Sequence, residues 1–168
     1  TLWLSICLAL GSFGIGWSGD FQKGVEAYNK GDFATSLKEW IPLAEQGNVK
    51  AQYNLGLMYD MGKGVLQDYK EAVRWYQIAA EQGYSSAQHN LGLLYFNGQG
   101  VPQDHQIAVE WITLSADQGE VESQKNLGII YRDGEVVPQD YQTAAKWFEL
   151  AATQGNITSQ INIGFFYY

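Results

Sequence analysis

The chain has 168 residues, of which 46% are hydrophobic and 17% charged, and this composition predicts a packed protein rather than a disordered one. Its formal net charge of -8 repels phosphate backbones and anionic lipid headgroups, which argues against nucleic acid as a partner. The single cysteine, Cys7, cannot form an intramolecular disulfide, and no Cys and His residues have the spacing of a zinc site. We therefore expect neither a metal nor a cofactor.

Residues 1–19 carry no charge, and their apolar stretch is followed by several glycines and serines. This pattern is typical of a secretory signal peptide that lacks its basic start, with cleavage just before Asp20. A membrane anchor is the alternative, since 19 uncharged residues are nearly enough to span a bilayer. We expect the protein to be exported, either periplasmic or secreted, or else anchored by residues 1–19, which would be its only membrane contact.

Residues 20–50 predict a degenerate helical hairpin at the N-terminal end. The stretch from Phe21 to Asn29 has the composition of a first helix, and Asp32 stands where the N-cap of a second helix belongs. That second helix contains Trp40 and stops at Gly47. A terminal unit that departs from the pattern of its neighbours is typical of the cap of a repeat array.

From residue 51 onward the chain repeats itself every 36 residues. The repeats occupy 51–86, 87–122 and 123–158, and residues 159–168 begin a further copy. Several types of residue recur at this period: a Gln, an Asn, a Gly inside the first helix, a Tyr, an Asp and a Trp. Their positions are Gln52, Gln88, Gln124, Gln160; Asn54, Asn90, Asn126, Asn162; Gly56, Gly92, Gly128, Gly164; Tyr59, Tyr95, Tyr131, Tyr167; Asp68, Asp104, Asp140; and Trp75, Trp111, Trp147. Coincident ladders at one period indicate a repeat architecture.

Each repeat predicts two antiparallel helices. In the first copy, residues 51–59 place apolar side chains three and four positions apart, which makes one apolar stripe. Asp68 then caps a second helix whose buried stripe includes Ala72, Trp75 and Tyr76, and Gly83 ends it. Glycine is a poor helix former, so the glycines inside the first helices destabilise them. We therefore expect the two helices of a hairpin to approach closely there, with Trp and Tyr side chains filling the space around the glycines. The apolar end of the chain, residues 165–168, leads us to expect further repeats.

The repeated string resembles the Sel-one-like repeat, a relative of the tetratricopeptide repeat. This resemblance implies an all-α fold, a right-handed α/α superhelical solenoid of 36-residue hairpins. It also implies a non-catalytic adaptor of the bacterial cell envelope that binds a protein or peptide partner along its concave groove.

By analogy with the tetratricopeptide groove, the concave side should carry residues of the first helices. The candidate partner-binding residues are Tyr53, Asn54, Leu57, His89, Asn90, Leu93, Phe96, Lys125, Asn126, Ile129 and Arg132. The first helices would present aromatic and aliphatic side chains, and Lys125 and Arg132 would add a basic spot. This suits a peptide with apolar side chains and an acidic residue or C-terminal carboxylate.

Structural roles compete with binding at several of these positions. The repeated Asn side chains either grip a ligand backbone or bond to the neighbouring hairpin, and the repeated Gln side chains are expected to do the latter. Lys125 and Arg132 are alternatively solvated charges. His89 either senses pH or touches a ligand, or has a plain surface role. The Trp ladder is expected to pack in the core.

Enzymatic activity is not expected from the sequence. The chain contains neither G-x-S-x-G nor S-x-x-K, and its carboxylates belong mostly to caps, turns and exposed faces. The alternative is a cell-wall-active accessory with weak hydrolytic or penicillin-binding activity, a property linked with some cysteine-rich relatives. The paired cysteines of those relatives are missing here.

Overall fold

The computed structural model describes residues 19–166 of the chain, and their side chains up to residue 164. Within this range the backbone forms nine α-helices and no strand. They are α1 (Phe21–Asn29), α2 (Phe33–Glu45), α3 (Val49–Met61), α4 (Tyr69–Glu81), α5 (Ser85–Asn97), α6 (His105–Asp117), α7 (Val121–Asp133), α8 (Tyr141–Thr153) and α9 (Ile157–Phe166). The predicted signal peptide or anchor lies outside the described residues, apart from Gly19.

The helices stack in chain order, each against the one before and the one after it. Four hairpins, α1–α2, α3–α4, α5–α6 and α7–α8, follow one another, and α9 packs on α8. The buried residues form a series of clusters between consecutive helices. This is the architecture of an α/α solenoid, and it confirms the predicted fold class.

The predicted caps hold the second helices in place. In each repeat the Asp side chain accepts two backbone N–H groups of the first turn, as Asp68 does from Lys70 and Glu71 at 2.9 and 3.2 Å. Asp104 and Asp140 repeat this geometry. Each such cap contributes about 1 kcal/mol to helix stability.

The glycines inside the first helices lie against a large side chain of the second helix. A Cβ atom on Gly56, Gly92 or Gly128 would come within 2.5 to 2.7 Å of a side-chain carbon of the second helix. The predicted close approach is thus confirmed, but the residue that fills the space is not the repeated Trp. It is the next residue along the helix: Tyr76, Ile112 or Phe148.

The Trp ladder itself is less buried than expected. Trp75 is buried, whereas Trp111 and Trp147 are half-buried at the edge of the core. One residue further along each helix, Tyr76, Ile112 and Phe148 are almost completely buried.

In the N-terminal hairpin a glycine of the first helix also lies against a large side chain of the second helix, but the loop between the two helices is shorter. Gly24 lies against the ring of Trp40, 16 residues later, whereas Gly56 and Tyr76 are 20 residues apart. The loop of this hairpin is therefore four residues shorter. Glu39 occupies the position of the repeated Trp, and its carboxylate accepts hydrogen bonds from the Asp20 N–H at 2.9 Å and from Lys23 Nζ at 2.5 Å.

The repeated Gln side chains connect neighbouring hairpins, as expected. Gln88 donates from Nε2 to the Ala80 carbonyl at 3.1 Å, and its Oε1 accepts from Gln118 at 2.7 Å. Gln52 and Gln124 are buried and bonded in the same way. These bonds provide a second donor to a helix-end carbonyl that already accepts a backbone N–H, as Ala80 does from Gly83.

Candidate partner-binding groove

The candidate residues occupy one side of the first helices. All of them are half-buried, a degree of exposure that suits a groove lining. They belong to α3, α5 and α7, and they border the spaces between successive first helices. We name these spaces gap 1 (between α1 and α3), gap 2 (α3 and α5), gap 3 (α5 and α7) and gap 4 (α7 and α9).

Two of the gaps contain apolar cavities. The cavity of gap 1, about 280 Å³, is lined by Val25, Tyr28, Trp40, Asn54 and Leu57, together with Phe21. The cavity of gap 3, about 300 Å³, brings together four of the predicted residues, Leu93, Phe96, Asn126 and Ile129. Ile112 from the second helix forms part of its lining.

Gap 2 is filled by aromatic side chains and a polar cluster. The Tyr53 ring lies 5.9 Å from that of Tyr76 and 5.1 Å from that of Tyr84, measured between centroids. The Tyr76 hydroxyl donates to Asp60 Oδ2 at 3.1 Å, and the Asn90 amide interacts with the hydroxyls of both Tyr53 and Tyr76. Burial raises the pKa of the Tyr76 hydroxyl above its ordinary value, and it also raises the pKa of the Asp60 carboxyl.

The positively charged side chain of Arg132 bridges gap 4. Arg132 donates from Nη1 to Asn162 Oδ1, and Asn162 donates from Nδ2 to the Thr158 carbonyl at 2.8 Å. Arg132 also contacts the carboxylate of Asp133, which raises the pKa of its guanidinium. The Arg side chain thus ties α7 to α9.

Acidic residues of the same helix neutralise the two cations of the predicted basic spot. Lys125 forms an ion pair with Glu122 on its own helix, and Arg132 forms one with Asp133. A ligand carboxylate at this position would have to compete with these neighbours.

The repeated Asn side chains do not share one role. Asn90 and Asn162 contact the neighbouring unit, as the structural interpretation predicts. Asn54 and Asn126 line the two cavities, and neither side chain has a hydrogen-bond partner among residues 19–164. The structural interpretation is therefore supported at Asn90 and Asn162, and ligand binding by Asn54 and Asn126 stays a prediction.

His89 belongs to a buried chain of hydroxyl groups that was not anticipated from the sequence. Its Nδ1 lies 2.7 Å from Ser123 Oγ, which lies 2.7 Å from Ser115 Oγ, which donates to the Ser85 carbonyl at 2.9 Å. The only signal in the sequence is that Ser115 and Ser123 replace Ala79 and Ala87 of the preceding unit.

The direction of the hydrogen bonds along this series of hydroxyl groups determines which tautomer His89 adopts. A carbonyl only accepts, so the Ser115 proton is committed to Ser85, and Ser123 must donate to Ser115. Ser123 can then only accept from His89, whose Nδ1 therefore carries the proton. Burial lowers the pKa of His89.

This His–Ser pair does not have the geometry of a catalytic nucleophile. Ser123 is completely buried, and its proton points toward Ser115 rather than toward the imidazole. A nucleophilic serine needs both access to substrate and a base that accepts its proton.

Two further features bear on the class of protein. Among residues 19–164, no group of three or more His, Cys, Asp and Glu side chains is placed to hold a metal ion. None of the described helices has the length and apolarity needed to cross a membrane.

The comparisons with known proteins identify the family. The Sel1 repeat model matches residues 49–84, 85–120 and 121–156, three consecutive 36-residue units that begin two residues before those assigned from the sequence. No protein with curated annotation matches the chain.

Solved structures with the same fold come from bacteria. A protective antigen of uropathogenic Escherichia coli with an SLR fold is 39% identical, with a TM-score of 0.83, over 89% of this chain and 34% of that one. A Sel1 repeat protein of Oxalobacter formigenes is 34% identical, with a TM-score of 0.84, over 88% of this chain and 60% of that one. The cysteine rich protein B of Helicobacter pylori, 21% identical over 73% of this chain and 92% of that one, shares the fold with a TM-score of 0.58.

The chain thus spans 34% and 60% of the length of the first two of these relatives. Sel1 repeats form helical scaffolds that generally serve protein–protein interaction. The repeat match and the identity with these structures show that the chain belongs to the Sel1 repeat family.

Proposed function

We propose that the protein is a non-catalytic adaptor that binds a segment of a partner protein along the groove formed by its first helices. The row of half-buried apolar side chains that borders gaps 1 and 3 carries this proposal. Half-buried apolar groups beside open cavities gain free energy when a partner covers them.

The chemistry of the groove favours a peptide with uncharged apolar side chains. Leu57, Leu93 and Ile129 supply aliphatic surface, and Phe96 adds an aromatic ring. An acidic residue or C-terminal carboxylate of the ligand would bind near Lys125 and Arg132, in exchange for their present partners Glu122 and Asp133.

We further propose that the protein acts outside the cytoplasm, in the bacterial envelope or beyond it. The apolar, uncharged leader supports export. The likeness to a protective antigen of uropathogenic Escherichia coli is consistent with this location. An export reporter fused to residues 1–30 tests it, with a basic start added; a reporter that stays silent contradicts export.

Capture of partners from a bacterial envelope extract tests the adaptor role. Wild type is compared with L93D/I129D, which places two carboxylates in gap 3, and with Leu150→Asp, which alters an exposed residue of α8. We expect the partner to be lost with the groove variant and kept with the α8 variant. Circular dichroism verifies that each variant is folded.

Two outcomes would contradict the proposal. Equal capture by wild type and the groove variant would remove the groove from the interaction. Hydrolysis of cell-wall or β-lactam substrates by the pure protein would favour the accessory-enzyme alternative. Loss of capture in K125E/R132E would support the carboxylate preference, and unchanged capture would remove that preference alone.

A further inference from the structure

The four gaps are equivalent places in the solenoid that differ in their side chains. Each is bordered by an Asn of the later first helix and by the second-helix residue that covers the Gly. A third position comes from the earlier first helix, where the successive residues are Tyr28, Asp60, Phe96 and Arg132. Differences at these positions decide whether a gap is filled.

In gaps 2 and 4, polar groups of the protein surround the Asn amide. Asn90 in gap 2 lies beside the hydroxyl of Tyr76, which donates to Asp60, and Arg132 donates to Asn162 in gap 4. Polar groups that satisfy one another in this way have little to offer a ligand.

In gaps 1 and 3, the corresponding side chains do not bond to the Asn amide, although Tyr28 in gap 1 carries a hydroxyl group. Trp40 replaces Tyr76 in gap 1, and its indole N–H is already donated to the Phe21 carbonyl at 3.2 Å. In gap 3, Phe96 and Ile112 replace the Asp60–Tyr76 pair, and the other polar residue of the lining, the exposed Asn97, makes no hydrogen bond to Asn126.

Asn54 and Asn126 are consequently left with an unused amide beside an apolar cavity. Within residues 19–164, neither has a hydrogen-bond partner for its side chain. An amide that both donates and accepts matches a peptide group. The cavities, about 280 and 300 Å³, are no larger than the smallest small-molecule sites, which begin at about 300 Å³. Each gap therefore suits one apolar side chain and the peptide group next to it.

We propose that the groove binds an extended peptide through two uncharged apolar side chains about six residues apart, one in gap 1 and one in gap 3. Asn54 and Asn126 bind the peptide groups next to these two side chains. This inference rests on the proposed adaptor function and specifies its ligand.

The spacing follows from the stacking of the repeats. Asn54 and Asn126 are 72 residues, or two repeats, apart in the chain. Packed helices lie about 8–10 Å apart, so two repeats span roughly 16–20 Å. An extended peptide covers about 3.3 Å per residue, and an even separation returns the side chain to the same face, which favours six residues.

A random dodecapeptide library displayed on phage, selected on the purified chain, tests this arrangement. We expect the selected peptides to share two apolar positions about six residues apart. In a synthetic selected peptide, deletion of two residues between these positions is expected to weaken binding at least about tenfold, because one side chain loses its cavity.

A double substitution can close gap 3 with contacts that the protein already uses in gap 2. F96D/I112Y copies the Asp60–Tyr76 pair, and the ring has a place to pack because Gly92 is equivalent to Gly56. We expect this variant to stay folded and to bind the selected peptide at least about tenfold more weakly. Leu150→Asp is the control and should bind like wild type.

The inference is wrong if the selected peptides share one apolar position or a different spacing, if none is selected, or if F96D/I112Y binds them as wild type does. The capture experiment remains separate from these outcomes. A partner captured through the groove, without the two-position pattern, would retain the adaptor function and eliminate only the proposed ligand.

Discussion

Gly56 lies against the ring of Tyr76, and a Cβ atom placed on it would be 2.5 Å from two ring carbons. Tyr76 is completely buried, so the ring has no free space into which it can move. The glycine is therefore required by the packing of α3 on α4, although glycine is a poor helix former.

Gly56→Ala should destabilise the protein. Alanine improves helix propensity by about 1 kcal/mol, but overpacking of a core costs about 1–3 kcal/mol, so we expect a net loss of up to about 2 kcal/mol. Chemical denaturation measures it. Gly164→Ala is the matched control, because within the described part of the chain no atom lies within 4 Å of a Cβ at that position. Equal effects at the two positions would show that the contact with Tyr76 is not what requires glycine.

Gln88→Leu should lower the free energy of unfolding by about 1–3 kcal/mol. The substitution removes one of the two donors to the buried Ala80 carbonyl, which keeps the Gly83 N–H at 2.9 Å, and it leaves Gln118 without its acceptor. Gln160 provides the control, because it is exposed and its bond to the Ala152 carbonyl is long, at 3.3 Å. A loss at Gln160→Leu as large as that at Gln88→Leu would contradict the role assigned to burial.

Protonation of His89 should destabilise the protein. Burial, the main cause, lowers the pKa of this imidazole; Glu120 and Glu122 oppose the shift, and Lys125 adds to it. The folded state therefore binds the proton less tightly than the unfolded state does. The stabilisation is fully present above the ordinary histidine pKa of about 6.5 and is lost as the pH falls below it.

Unfolding measured at pH 7.5 and pH 5 tests this expectation. The decrease in stability should be larger in wild type than in His89→Gln, which can still donate to Ser123 but does not titrate. An NMR titration should also give a pKa below the ordinary value for His89. Identical pH dependence in the two proteins would contradict the prediction.

Asp60→Asn should raise stability near pH 7. Burial raises the pKa of Asp60, against the effect of the Tyr76 hydrogen bond, so the folded state binds the proton more tightly. This favours folding at low pH, and the advantage is lost as the pH rises through the raised pKa.

The asparagine side chain keeps an acceptor for the Tyr76 hydroxyl and removes the desolvated charge. The gain in thermal unfolding midpoint should therefore shrink toward pH 3, where Asp60 is protonated in wild type. A lower midpoint at pH 7 would show that the charge itself stabilises gap 2. Tyr76→Phe serves as the comparison in which the hydrogen bond is removed instead.

Local pattern was enough to predict the helices. Three features depend only on neighbours within a few residues: the N-cap role of Asp68, the helix end at Gly83 and the apolar stripe of each helix. Because the sequence repeats, each of these features occurs several times in the chain. The buried role of Gln88 was predicted for the same reason, since an interface that is identical in every unit requires the same residue in every unit.

Other features were not predictable because they depend on residues that meet only when three helices pack together. The expectation that Trp and Tyr fill the space beside the glycines holds at Gly56, where Tyr76 lies, but the repeated Trp does not fill it, because Trp75 and Tyr76 are both apolar enough for the buried stripe. The bonds of Ser115 and Ser123 were missed because a hydroxyl at a position that is alanine in other units does not indicate its hydrogen-bond partner.

By itself, the sequence determined the 36-residue unit and the hairpin, because these follow from periodicity and capping along one chain. Only the tertiary structure decided which side chains surround each Asn amide. Asn90 and Asn126 are identical in the repeat, but Asp60 and Tyr76 occupy one gap, whereas Phe96 and Ile112 leave the other open. A hydrogen bond requires a partner at the right distance, and that partner comes from another unit of the solenoid.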